Sequence, residues 1–138
     1  MTKLARGIRN NNPLNIRKGI RWQGLATPDN DGAFAMFQSM EWGARAALVL
    51  LRNYVKGTNS SRRKYDTLEA IISRWAPECE NNTRAYIQRV SSSTGIPARA
   101  KIDYHDRSTM TKIACAMADV ECGRSMEISI FESAWDMI

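Results

Sequence analysis

From Ser39 to the end of the chain, apolar side chains recur every three to four residues in successive blocks, most of them opened by a capping residue and closed by Gly or Pro. That spacing fits amphipathic helices and excludes strands, whose faces alternate every second residue. Ser39 is the expected N-cap of a helix from about Met40 to Lys56, with Ala44, Ala47, Leu48, Leu51 and Val55 facing inward, Leu50 and Tyr54 widening the stripe, and Gly57 as its stop. Thr67 opens a second helix, Leu68 to Trp75, with Leu68, Ile71, Ile72 and Trp75 inward, and Ala76-Pro77 ends it. Asn82 or Thr83 caps a third, Arg84 to about Ser93, carrying Tyr86, Ile87 and Val90 and closed by Gly95. Asp106 or Ser108 opens a fourth that runs through Cys122 to Gly123, and Met126 to Ile138 reads as a last amphipathic helix.

Residues 6–37 read differently, with no helix expected. Asn10, Asn11, Asn12 and Pro13 mark a turn, LNIRK alternates Leu14 and Ile16 against polar neighbours, Gly19 offers a tight turn, and AFAMF (33–37) is a plausible return strand after the turn cluster ATPDNDG. The expected fold is therefore mostly α (α+β), a helical domain with a small antiparallel β-hairpin near the N-terminus. At 138 residues the chain is long enough for one core, so a single domain over 1–138 is expected.

Charge narrows the partners. The net charge is +6, which suits nucleic acid, an anionic membrane surface or an anionic cell-wall polymer. The basic residues are scattered, SSRRKY being the only dense run, and no helix has the dense basic face of a nucleic-acid reader. No nucleic-acid partner is expected. No run of about 18 apolar residues occurs, so no membrane insertion is expected, and the start MTKLARGIRNNNP lacks the apolar core of a secretory signal. The expectation is a monomer made in the cytoplasm that reaches its site by lysis, in a particle or through a secretion machine. Three cysteines, Cys79, Cys115 and Cys122, with one histidine, His105, argue for reduced thiols, no metal and no cofactor.

The fourth helix is apolar until its last turn, where Asp119 and Glu121 stand. The negative end of the helix dipole disfavours ionisation of a carboxylate there, and partial burial adds to the effect. Glu121 is thus a candidate general acid, although the same residue also reads as a solvent-facing helix end. Glu80, just before a helix start, reads either as part of a capping segment or as a second, ionised carboxylate that polarises water or stabilises an oxocarbenium-like transition state. Asp29 and Asp31 compete for that second role and also read as turn formers.

The segment Ile113 to Ser125, IACAMADVECGRS, resembles the catalytic helix of glucosaminidase-type autolysins and of goose-type and transglycosylase relatives, in which the acid Glu closes a helix rich in small residues. In the autolysins an Asn-Asn turn, a strand ending near Trp-x-Gly, an aromatic strand and a helix follow. Here NNNPLNIR, WQG, AFAMFQS and EWGARAALVLLRNY stand in that order at the beginning of the chain, so the resemblance implies a circularly permuted arrangement. The chain also resembles a group of small phage and prophage lysozyme-like proteins through GIRNNNP, GARA (43–46), WAPECENNTRAY and ECG (121–123), with Leu14 in place of the Gly that often follows the Pro.

These resemblances imply a lysozyme-like domain that cleaves a glycosidic bond of peptidoglycan, as a muramidase, glucosaminidase or lytic transglycosylase, with Glu121 as acid and Glu80 as its partner. The expected ligand-binding residues are Trp22, stacking on a sugar ring; Asn12, Gln23 and Asn81, holding acetamido or hydroxyl groups; Tyr86, donating near the acid; and Thr83 beside them. The expected partners are peptidoglycan and the proteins of a phage particle or secretion machine. The alternative is a non-catalytic virion or wall-binding protein of the same fold.

Overall fold

The computed structural model describes residues 5–77 and 82–138. Among them six helices follow one another: α1 (Arg6–Arg9), α2 (Met40–Lys56), α3 (Leu68–Trp75), α4 (Thr83–Thr94), α5 (Arg107–Cys122) and α6 (Ile128–Trp135). The caps explain the boundaries. The side chains of Ser39, Thr67, Asn82 and Asp106 accept from the amides of Trp42, Ala70, Ala85 and Thr109, satisfying N–H groups that have no partner within the helix. Gly57, Gly95 and Gly123 end α2, α4 and α5 in the left-handed conformation. Among the described residues no helix is long and apolar enough to cross a membrane.

α5 is the central element. Met110, Ile113, Ala114, Met117 and Ala118 are fully buried, and α1, α2, α4 and α6 all pack against it. α2 packs against both α5 and α6, and Leu48, Leu51 and Phe131, none with any exposed surface, belong to one hydrophobic cluster that also takes in Leu14, Ile16, Ala35 and Phe37 of the N-terminal segment. Burying a side chain of that size contributes about 1.5–3 kcal/mol.

The N-terminal segment departs from expectation in two ways. Arg6–Arg9 forms one helical turn. The expected antiparallel β-hairpin is absent: among the described residues there is no strand, only two isolated antiparallel bridges, Arg17 with Phe34 and Leu25 with Phe37. The cause lies in the asparagines. Asn11 and Asn15 both sit at φ +52°, the left-handed region that asparagine tolerates better than most residues. Each interrupts the extended run that a ladder needs, so Leu14 and Ile16 are buried on either side of a bend. Asn12 then does the work of ladder hydrogen bonds. Its Nδ2 donates to the carbonyls of Ile16 and Ala35, both at 2.9 Å, and its Oδ1 accepts from the Ile16 amide at 2.9 Å.

Two glycines seat this bend on the helices. A Cβ at Gly43, in the first turn of α2, would overlap the Asn11 carbonyl oxygen. A Cβ at Gly7 would lie 2.8 Å from the Asn12 carbonyl oxygen and 3.1 Å from both Asn15 Oδ1 and Cys122 Sγ. The bend therefore lies directly against the start of α2 and the end of α5.

Candidate active site

The last turn of α5 carries Glu121 out of the core to a half-buried position facing the bend. Asn15 Nδ2 lies 3.4 Å from both the backbone carbonyl and Oε1 of Glu121. The left-handed backbone of Asn15 turns its amide away from the Leu14 and Ile16 side and toward α5. Asn15 Oδ1 is buried and has no hydrogen-bond donor among the described residues. Next to Glu121, the Cys122 thiol contacts the Pro13 carbonyl at 3.5 Å, a second tie between the end of α5 and the bend.

Glu121 and Asn15 line an open furrow of about 470 Å³, together with Ile16, Arg17, Phe34, Leu50, Tyr54, Arg74, Trp75 and Ala76. That size falls within the range of small-molecule sites. Its walls combine aromatic faces with cations. The Arg17 guanidinium stands 5.0 Å from the Phe34 ring centroid, and Tyr54 packs edge-on against Tyr65 at 5.5 Å. Burial raises the Tyr54 phenol above its usual range, so it stays a neutral hydroxyl. Among the described residues Glu121 is the only carboxylate that lines the furrow.

Tyr86 lies behind the acid. It is buried on α4, and its hydroxyl donates to the Met117 carbonyl at 3.4 Å. Its phenol is pushed far up, first by burial and then by the neighbouring Glu121. Tyr86 is thus a protonated group held beside the carboxylate from the core side. The buried thiols are likewise kept protonated. Cys115 and Cys122 are both raised to about 11, chiefly by burial, with Asp119 adding to the first and Glu121 to the second.

The other expected site residues are distributed as follows. Asn12 has no exposed surface, and its amide is fully engaged by backbone. Trp22 is half-buried against the core and does not line the furrow, and its buried indole N–H has no hydrogen-bond partner among the described residues. Gln23 is exposed away from the furrow lining. Thr83 is buried, and its hydroxyl donates to the Ala76 carbonyl, tying the start of α4 to the end of α3. Glu80 and Asn81, like Cys79, lie outside the described residues.

Of the two rival acids, Asp31 is locked in place. It takes a bidentate contact from Arg6 at 2.8 Å, one from Asn10 Nδ2 at 2.9 Å and two from the Ala33 and Phe34 amides at 2.9 Å. Arg6 first, and those amides next, hold its carboxyl well below the usual carboxylate range. Asp29 pairs with Lys18 at 3.1 Å on the surface. Among the described residues no group of His, Cys, Asp and Glu is arranged to hold a metal ion.

Sequence reasoning missed Asn15, Arg17, Phe34, Tyr54, Arg74 and Trp75. Trp75 carried the clearest signal, since it ends α3 immediately before Ala76-Pro77, where a helix stops at a surface and a large ring is left half in the core.

No protein-family profile matches the chain. Protein P5 of Pseudoalteromonas phage PM2 is 39% identical to it over 127 residues, which span 89% of this chain and 74% of P5. The chain belongs to the family of that phage protein. A phage affiliation accordingly rests on similarity along most of the chain, beyond the short motifs that first suggested it.

Proposed function

We propose that this protein cleaves the glycan strand of peptidoglycan, with Glu121 as general acid. The observation that carries the proposal is the position of Glu121: the carboxylate ends the central helix, touches the N-terminal bend through Asn15 and lines an open furrow walled by Phe34, Tyr54 and Trp75. Aromatic faces suit the C–H faces of sugar rings, and Arg17 and Arg74 suit the carboxylates of the wall polymer. The permuted autolysin-like order of motifs and the kinship with a phage protein favour the same substrate and an action at the cell wall, in the service of a phage particle or of lysis.

In this reading Glu121 protonates the glycosidic oxygen as the bond to the anomeric carbon breaks. The oxocarbenium-like centre is then captured by water, with Glu80 as the candidate for activating it, or by the muramyl 6-hydroxyl within the same strand. Tyr86 and Asn15 orient the acid. Glu121→Gln removes the transferable proton and preserves shape. It should abolish clearing of purified peptidoglycan and leave the melting temperature within a few degrees of wild type. Full clearing by that variant would refute the assignment.

A second reading, a wall-binding virion protein without catalysis, is favoured by Glu121 being the only furrow carboxylate among the described residues. Mass spectrometry of treated sacculi separates the two. New reducing ends or anhydro-muramyl products mean cleavage, and intact strands that retain the protein mean binding.

A further inference from the structure

A second concavity lies on the far side of α2 from the furrow. Arg52 and Lys56 follow the furrow residues Leu50 and Tyr54 by two positions, a rotation of about 200° around the helix. With Tyr104, His105, Trp135 and Ile138 they line a pocket of about 480 Å³. Among the described residues no acidic side chain lines it, and neither Arg52 nor Lys56 is ion-paired. Three acids flank the lining residues in sequence: Asp103 contacts His105 Nδ1 at 3.3 Å, Asp106 caps α5 through the Thr109 amide at 3.2 Å, and Asp136 contacts Arg107 at 3.5 Å. Like charges four residues apart disfavour a helix, so α2 carries this pair without local compensation. The pocket is otherwise aromatic. Tyr104 and His105 have ring centroids 4.2 Å apart, and the Lys56 ammonium lies 5.9 Å from the Tyr104 centroid. Ile138, at the rim, is 43% exposed.

We propose that this pocket binds an anionic sugar. The carboxylate or phosphate sits between Arg52 and Lys56, the ring lies on the Trp135 and Ile138 side, and Tyr104 and His105 supply hydrogen-bonding groups to its hydroxyls. Unneutralised cations on a concave floor concentrate positive potential where the charged substituent would sit. The volume accommodates one ring with its substituent. A single nucleic-acid strand would need an extended groove with successive stacking platforms. The two sources of such a ligand, a carboxylated sugar of the glycan strand and a sugar phosphate, share this chemistry. The proposal does not depend on cleavage by Glu121, because the two pockets lie on opposite sides of α2.

The test is a titration of the full chain, followed by amide and indole NMR shifts, with N-acetylmuramic acid, glucose 6-phosphate and uncharged glucose. Saturable shifts at Tyr104, His105 and the Trp135 indole are expected with at least one of the charged probes, at millimolar affinity. The probe that binds tighter identifies the source. Arg52→Gln with Lys56→Gln should weaken that binding by about tenfold or more without lowering the melting temperature, whereas Glu121→Gln should leave the binding intact. The proposal is overturned if neither charged probe shifts these signals, if glucose shifts them equally, or if the double variant binds as wild type does.

Discussion

Asn15 shows how one residue can serve both fold and site. Its backbone turns the chain in the left-handed region, and its amide reaches Glu121 at 3.4 Å. Asn15→Gly keeps the conformation and deletes the amide. It should fold normally and clear peptidoglycan about tenfold more slowly, the scale expected when an acid loses a partner that orients it. Asn15→Ala should show the same loss and in addition lose about 1–2 kcal/mol of stability, since an alanine in that region is strained. Equal clearing by wild type and the glycine variant would leave the amide a purely structural role. Asn15 was illegible in the sequence for a physical reason. Between two buried apolar residues, an asparagine reads as the outward position of a strand, and no periodicity separates that from a left-handed bend. Asn12 misled in the opposite way, because an amide that can hold an acetamido group is the same amide that can replace a ladder, and here all its bonds go to backbone. Glu121 was legible because its position depends only on where α5 ends.

At the scale of elements, α2, α4 and α5 could be read from end to end because each of their boundaries is a local chemical event, a side-chain oxygen on a free amide or a glycine in the left-handed region. The segment from α1 to α2 has no such self-contained boundaries. Its shape comes from contacts between distant residues, above all Arg6 of α1 with Asp31, 25 positions away. That contact predicts a pH dependence. The native state holds Asp31 ionised well below the usual carboxylate range, while the unfolded chain protonates it near pH 3.9. The stabilisation is therefore present above that value and is lost as pH falls through it toward the native titration. Asp31→Asn should lower the urea midpoint at neutral pH, and its deficit against wild type should shrink between about pH 5 and pH 2. A deficit that stays constant over that range would show that the ion pair is not the source.

At the scale of the whole molecule, the furrow exists because one core joins the N-terminal bend to the helices. Leu14, Ile16, Ala35 and Phe37 share a cluster with α2, α5 and α6, and Phe131 of α6 is its largest fully buried side chain. No separate unit carries Glu121 on one side and Asn15 on the other, so loosening α6, whose own residues do not line the furrow, should still open it. Phe131→Ala removes a buried ring that the surrounding helices cannot fully replace and should cost about 3–5 kcal/mol. For a chain of this length two-state unfolding is expected. Helix content by circular dichroism and the environment of Trp75 by fluorescence, read in a protein whose other tryptophans are replaced by phenylalanine, should then lose their native signals at one shared, lowered denaturant midpoint. If Trp75 becomes exposed at a lower midpoint than the helices melt, the bend and the furrow form a separately stable region. The position of Glu121 opposite Asn15 would then depend on local order in the bend, with the joint core contributing little to it.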